Sequence, residues 1–340
     1  MSVQSTKRPV TVITGFLGSG KTTLLSRVLA NPEMKRTAVL VNEFGKVGLD
    51  HHLLQRIDEQ TILLGGGCLC CTVRDDLVKA ITGLLNLDQR GEIERLERVV
   101  IETSGLADPA PILFTILSNP VLQHHFYIDC VVVTVDAVNG ELHLDRQPES
   151  LKQVAVADKI IITKTDIATP EQVSHLVERL SRINPSAEIR EVIFGEIKPD
   201  TLFTSDRQTD PNPVLVTQSA EDRTHFSDTR SISLTFNDPL DWTAFGLWLS
   251  MLLHARGQDV LRVKGIIDVG EAGPVVLNGV QHIIHPPEHL DSWPSEDHRS
   301  HLVFIMRSIE PQQVLRSLDA FQHIIGAKPS LLEIKESVLS

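Results

Sequence analysis

Residues 15–22 read Gly15-Phe16-Leu17-Gly18-Ser19-Gly20-Lys21-Thr22, a complete match to G-x-x-x-x-G-K-[ST]. A short β-branched apolar run, Val10-Thr11-Val12-Ile13-Thr14, stands before it, and Lys21 to Leu29 has the pattern of a helix after it. A strand, a glycine-rich loop and a helix in that order leave few folds open. Backbone N–H groups of such a loop point inward at phosphate oxygens, and glycine permits the close approach. The expected cradle is Gly15, Gly18, Ser19, Gly20, Lys21, Thr22 and Thr23. Lys21 would reach the β and γ phosphates, and the Thr22 hydroxyl would be a ligand of Mg2+.

The rest of the first half fits that start. Thr37–Val41, Arg98–Ile101, Cys130–Val135 and Lys159–Thr163 are nearly continuous apolar runs, as expected of strands buried on both faces of a parallel sheet. Helical patterns at Asp75–Leu87, Pro109–Leu117 and Pro170–Ile183 separate them. The predicted fold is α/β, a doubly wound, mostly parallel P-loop sheet over residues 1–200. Residues 201–229, rich in Asp, Thr, Ser and Pro, read as a linker. A smaller α+β domain is predicted over 230–325. It has strands at Ser231–Phe236, Val260–Val269, Pro274–Ile284 and His301–Arg307, a helix capped by Asp238-Pro239 that runs to about Ala255, and another over Pro311–His323. Residues 326–340 are left as a tail.

Two further elements bear on the chemistry. Glu102 ends the buried run Val99-Val100-Ile101 and is followed by Thr103-Ser104-Gly105. An acid in that place is costly unless it works. At the carboxyl edge of the sheet it would organise Mg2+ through water, while Gly105 offers its N–H to the γ-phosphate. Lys21, Thr22 and Glu102 are thus the expected catalytic set. Thr163-Lys164-Thr165-Asp166 occupies the place where GTPases carry N-K-x-D. Asp166 can accept from guanine N1–H and the exocyclic amine, a pair adenine does not offer, and the Lys164 stem would pack on the ring. Thr163 departs from the pattern, and without the Asn, support of the loop is expected to weaken more than base choice.

Cys68, Cys70 and Cys71 lie within four residues, after Gly65-Gly66-Gly67, and only Cys130 stands apart. Thiolates are soft ligands that select zinc, copper or iron–sulfur centres over Mg2+. In an extended segment Cys68 and Cys70 share a side and Cys71 faces away, so two thiolates on one zinc are easy and three need a turn. Water, His or a carboxylate such as Glu43 would complete a tetrahedron. Cys130, opening an apolar strand, reads as core. His285-Pro286-Pro287-Glu288-His289 has ligand-like spacing, but the proline pair forbids a one-faced helix, so a solvated or client-facing surface is expected there. His51-His52 falls between Glu43 and the cysteines. The formal net charge of −12 argues against nucleic acid and a polybasic membrane contact, and no apolar run approaches the length of a membrane span. A polar N-terminus without an apolar core fits no signal peptide, so a cytoplasmic protein is expected.

Together these residues resemble the CobW-type GTPases, relatives of the nickel-enzyme maturation GTPases. The resemblance rests on Gly15–Leu25, Asn42-Glu43-Phe44-Gly45, Gly65–Cys71, Glu102–Gly105, the Lys164/Asp166 pair, and a stretch from Val263-Lys264-Gly265 through Trp293-Pro294 to Arg299–Ile305. It implies a GTPase, using GTP and Mg2+, that binds Zn2+ and delivers it to a client metalloprotein. Relatives with a His-rich insertion after the fourth strand differ from this chain, which has only Asn139–Leu144 there. A cobalt-handling GTPase of cobalamin synthesis, and an NTPase with a structural or redox cysteine cluster, are the competing readings. Homodimerisation stays open.

Overall fold

The computed structural model describes residues 7–42, 61–64, 72–203, 229–325 and 331–338. They group into two compact units, Met1–Leu176 with Glu188–Ser205, and Val177–Ala187 with Asp206–Ser340. The first holds seven strands: β1 (Arg8–Gly15), β2 (Thr37–Asn42), β3 (Thr61–Leu64), β4 (Arg98–Glu102), β5 (Phe126–Asp136), β6 (Lys159–Thr163) and β7 (Glu188–Glu191). They lie side by side as β3-β2-β4-β1-β5-β6-β7. Every pair is parallel. From β1 the chain moves out to β2 and β3, returns to β4 beside β1, then crosses to β5 on the other side. Such a reversal opens a crevice at the carboxyl edge, where doubly wound sheets bind ligands.

The expected strands are all present, and two short ones are added at the margins. β7 carries Glu188, Arg190 and Glu191 and is half exposed, which hides it from a search for buried apolar runs. Charges on an edge strand guard against sheet-to-sheet pairing. The helices are α1 (Lys21–Leu29), α2 (Thr72–Arg90), α3 (Ala110–Ser118), α4 (Pro120–His125), α5 (Gly140–Arg146), α6 (Pro148–Val156), α7 (Pro170–Ile183) and α8 (Pro199–Phe203). Proline opens α4 and α6 at the first turn, and the Asn119 side chain caps α4 by accepting from Val121 and Leu122 N–H. Residues 199–203, read as chain leading into a linker, form the short α8, whose Leu202 and Phe203 pack into the core.

That core joins Ile13, Val39, Val100, Cys130, Val132 and Ile161 of the sheet to Leu24, Leu25 and Val28 of α1. Each buried aliphatic side chain contributes about 1.5–3 kcal/mol, whereas an unpaired charge in the same place would cost several. Four Asp, Glu or Lys side chains are nevertheless buried in this unit's described residues: Lys21, Glu102, Asp136 and Lys159. Lys159 starts β6 and donates to the Thr201 carbonyl. The other three stand together at the carboxyl edge.

The second unit is an antiparallel sheet backed by helices. Its strands are β8 (Thr229–Phe236), β9 (Val260–Ile267), β10 (Val275–Val280), β11 (Ile283–Ile284), β12 (Glu288–His289), β13 (Ser300–Arg307) and β14 (Leu331–Val338), with α9 (Trp242–Arg256) and α10 (Pro311–Ile325). The order is β11-β10-β9-β13-β8-β14, with β12 on β10. Phe245, Trp248 and Phe304 centre its core. Three local readings change. The span Pro274–Ile284 is a hairpin, because Gln281 takes φ 53° and turns the chain where no Gly or Asn announces it. Leu331–Val338, within the stretch read as a tail, pairs with β8. Helix α9 is capped by Asp241 and not by Asp238-Pro239: buried Leu240 donates its N–H to the Asp268 carbonyl, which keeps the chain extended up to Asp241.

The Asp241 carboxylate accepts from Ala244 N–H at 3.0 Å. Asp241→Ala should therefore destabilise the protein by about 0.5–2 kcal/mol, and Asp241→Ser should restore most of it, as read from urea unfolding midpoints.

Candidate nucleotide site

The loop between β1 and α1 is fixed by its neighbours. Gly15 has φ 141°, and a Cβ there would stand 2.4 Å from both the Thr134 carbonyl and hydroxyl oxygens, so no other residue fits. Ser19 and Thr134 hydroxyls meet at 2.6 Å, and the Thr163 hydroxyl donates to the Ser19 carbonyl at 2.8 Å. Thr163 thus ties the loop to β6 with its own hydroxyl, where the sequence reading expected weaker support from the missing Asn. The Lys21 ammonium curls over the loop and donates to the carbonyls of Gly15 at 2.8 Å and Phe16 at 3.2 Å.

At the end of the adjacent β4, Glu102 is 4 % exposed and accepts from the Thr22 hydroxyl at 2.7 Å. A hydroxyl that donates to a carboxylate turns its lone pairs away from it, leaving an acceptor face for a hard cation. Thr103 locks this strand end to β1: its N–H donates to the Ile13 carbonyl and its hydroxyl to Thr14 Oγ1 at 2.7 Å. Gly105 passes so close to the loop that a Cβ would lie 2.6 Å from Leu17 Cδ2 and 2.7 Å from its backbone nitrogen. Gln153 of α6, wholly buried, donates its amide to the carbonyls of Gly105 and Ala107 at 3.2 and 3.0 Å. A single Gln in a helix carries no signal of its own, so nothing in the sequence announces Gln153.

A second cluster forms where β5 and β6 end. Asp136, 2 % exposed, accepts from Lys164 Nζ at 2.6 Å, Asn139 Nδ2 at 3.1 Å and Val138 N–H at 2.8 Å. Burial opposes its ionisation, but these hydrogen bonds and the Lys164 charge outweigh that and hold its carboxyl below the usual range. Lys164 itself sits at φ 59°. Asp136 escaped notice although it ends a buried run just as Glu102 does. Asp166 is exposed in the turn that follows. On the loop side, His143 of α5 lies against Phe16, ring centroids 4.5 Å apart. Burial keeps its imidazole below the ordinary value; the Asp136 charge opposes this and the Lys164 charge reinforces it.

The residues singled out for a soft metal, Glu43, Cys68, Cys70 and Cys71, together with His51 and His52, lie outside the described residues. Among those that are described, no group of three or more His, Cys, Asp and Glu side chains could hold a metal ion. No helix there is long and apolar enough to cross a membrane. The C-terminal histidines do not behave alike. His282, His289 and His298 are exposed as expected, but His285 is buried, its N–H donating to the Asn278 carbonyl. Cys130 is wholly buried in the core.

Since the Asp136 carboxyl is held below its unfolded value, its contribution to stability is complete above the unfolded pKa of about 3.9 and is lost as the pH falls through the depressed value. Asp136→Asn should accordingly be less stable than the wild type at neutral pH, and the gap should close on acidification below the usual carboxylate range. Thermal midpoints of both proteins across that range check it.

The chain matches the model of the CobW/HypB/UreG nucleotide-binding domain over residues 9–191 and that of the cobalamin synthesis protein CobW C-terminal domain over residues 229–322. The zinc chaperone YjiA of Escherichia coli K12 is 34% identical over 312 residues, 90% of this chain and 96% of that protein. The zinc-regulated GTPase metalloprotein activator 1 of Schizosaccharomyces pombe is 30% identical over 316 residues, 81% of this chain and 75% of that one. In structure, Zn(II)-bound YjiA GTPase from E. coli superposes with a TM-score of 0.69 at 29% identity, covering 93% of this chain and 99% of the other. Two models matched in order along the chain, with a relative alike over nine-tenths of it, establish membership of the CobW family, a P-loop nucleotide-binding domain followed by the CobW C-terminal domain.

Proposed function

We propose that the chain hydrolyses GTP and uses the cycle to carry zinc to a client metalloprotein. The carrying observation is the contact between the Thr22 hydroxyl and buried Glu102, next to Lys21 and the Gly15–Gly20 loop. Oxygen donors of this kind fit Mg2+, which Thr22 would ligate and Glu102 would hold through water. When bound, Mg2+ would neutralise charge on the β and γ phosphates. Phosphate oxygens would replace the two carbonyls that Lys21 now contacts, exchanging neutral acceptors for charged ones. The backbone N–H groups of Gly18, Ser19, Gly20, Lys21, Thr22 and Thr23 would surround them, and Gly105 would offer its N–H from the β4 side.

Asp166 supports guanine as the base, because a carboxylate accepts two hydrogen bonds from it. Asp166→Asn should weaken GTP binding by about 1.5–3 kcal/mol, roughly ten- to 150-fold. Competition of GTP against ATP on the wild type and this variant is the test; equal affinity for the two nucleotides would return the chain to the reading of an NTPase with a structural or redox cysteine cluster.

Zinc as cargo is supported by the thiolates of Cys68, Cys70 and Cys71, with Glu43 as a candidate oxygen ligand, and by relatives named as a zinc chaperone and a zinc-regulated activator. The description of the C-terminal model keeps cobalt as the second reading. In the sequence the cysteines fall between the loop and Glu102, so nucleotide state has a short path to them. Replacing all three cysteines by Ser should abolish tight zinc binding and spare nucleotide binding. Zinc affinity of the wild type, measured against a chelating dye, should differ about 5- to 150-fold between its GDP and GTP forms and fall as thiolates protonate at lower pH. Equal affinity in both forms would leave a structural zinc site.

A further inference from the structure

Past β7 the chain turns sharply, and the tip of the turn is apolar and outward: Ile193 is 50 % exposed and Phe194 62 %. Phe194 also holds φ 51°, a left-handed backbone that bulky side chains rarely adopt. Exposure and backbone strain both run against stability, so the fold has no use of its own for a phenylalanine here. Yet the turn is held firmly. Val192 N–H donates to the Ile162 carbonyl at 2.8 Å, Glu196 N–H to the Ile193 carbonyl at 3.0 Å, and the Thr165 hydroxyl reaches the Val192 carbonyl at 3.5 Å. A Cβ on Gly195 would stand 3.0 Å from Leu24 Cα and 3.3 Å from the Thr23 carbonyl oxygen, so the turn rests on the first turn of α1.

These contacts set Phe194 at the carboxyl edge, bounded by the Lys164–Asp166 loop on one side and the start of α1 on the other. β6 and β7 run in register up to Ile162 and Glu191, so the two loops leave the sheet side by side. A nucleotide with its phosphates on residues 15–22 and its base edge at Asp166 ends at this turn. Asp166 reads the edge of the base; the flat faces call for apolar or aromatic cover. We propose that the Phe194 ring is the platform on which the purine stacks, a base-positioning role that rests on the guanine-nucleotide reading above. A stacked ring favours every purine alike, so Phe194 would supply affinity and orientation while Asp166 supplies the choice of base.

The test measures GDP, inosine diphosphate and tripolyphosphate binding to the full chain. Phe194→Ala should weaken both nucleotides by the same factor, about five- to 150-fold, and leave tripolyphosphate unchanged. Phe194→Tyr should bind nucleotides as the wild type does. Phe194→Trp should show fluorescence quenching on adding GDP, beyond any change in a wild type whose three tryptophans are Trp242, Trp248 and Trp293. Phe194→Gly should unfold no earlier than the wild type while losing the same affinity as Phe194→Ala. By contrast Asp166→Asn should weaken GDP more than inosine diphosphate, which lacks the exocyclic amine. Unchanged GDP affinity in Phe194→Ala, or an equal loss for tripolyphosphate, would overturn the stacking role and leave the guanine reading intact. Failure of the wild type to prefer GDP, with no effect of Asp166→Asn, would instead overturn that reading.

Discussion

The hydrogen bond from Thr22 to Glu102 joins the first turn of a helix to the end of a strand, with the carboxylate almost wholly out of water. A buried carboxyl oxygen is costly unless a donor is held against it. Much of the surrounding structure acts to keep donor and acceptor in place. Thr103 fastens the β4 end to β1, and Ser19, Thr134 and Thr163 fasten the loop to β5 and β6. Reaction geometry tolerates errors well under an ångström, and hydroxyl-to-hydroxyl and hydroxyl-to-carbonyl contacts between neighbouring strands give that rigidity without adding charge.

The phosphate side of this site could be read from the chain because it depends on local pattern. A glycine-rich loop between an apolar run and a helix announces itself, and so does Glu102 at the end of Val99-Val100-Ile101. What could not be read depends on residues far apart in sequence. Gln153 matters because its amide meets Gly105 and Ala107, more than forty residues upstream. Thr163 supports the loop through a contact 144 residues distant, so a motif comparison saw a lost Asn and not a gained hydroxyl. The same holds for the fold. Strands with apolar cores were legible, while β7 is polar and β14 takes its place by pairing with β8. The cap of α9 shifted by three residues because of a tertiary bond from Leu240 to Asp268.

The Lys164 side of the site is built differently from the loop side. Lys164 is drawn to Asp136, a partner on the neighbouring strand, so its ammonium is anchored before any ligand arrives. Its aliphatic stem then follows a path set by the protein, which would lower the entropy lost on packing the base that the proposed function places there. The left-handed backbone at Lys164 and at Phe194 keeps strain at the carboxyl edge, where the sheet offsets it.

β3 is a four-residue strand at the margin of the sheet, with β2 as its one neighbour among the described residues. Its four residues pair in register with Val39–Asn42, whereas β2, β4, β1 and β5 hold one another through pairings of their own. A margin held by so few ladder hydrogen bonds opens at the least cost, so the sheet can fray there while the strand ends that carry Gly15, Glu102 and Asp136 stay paired.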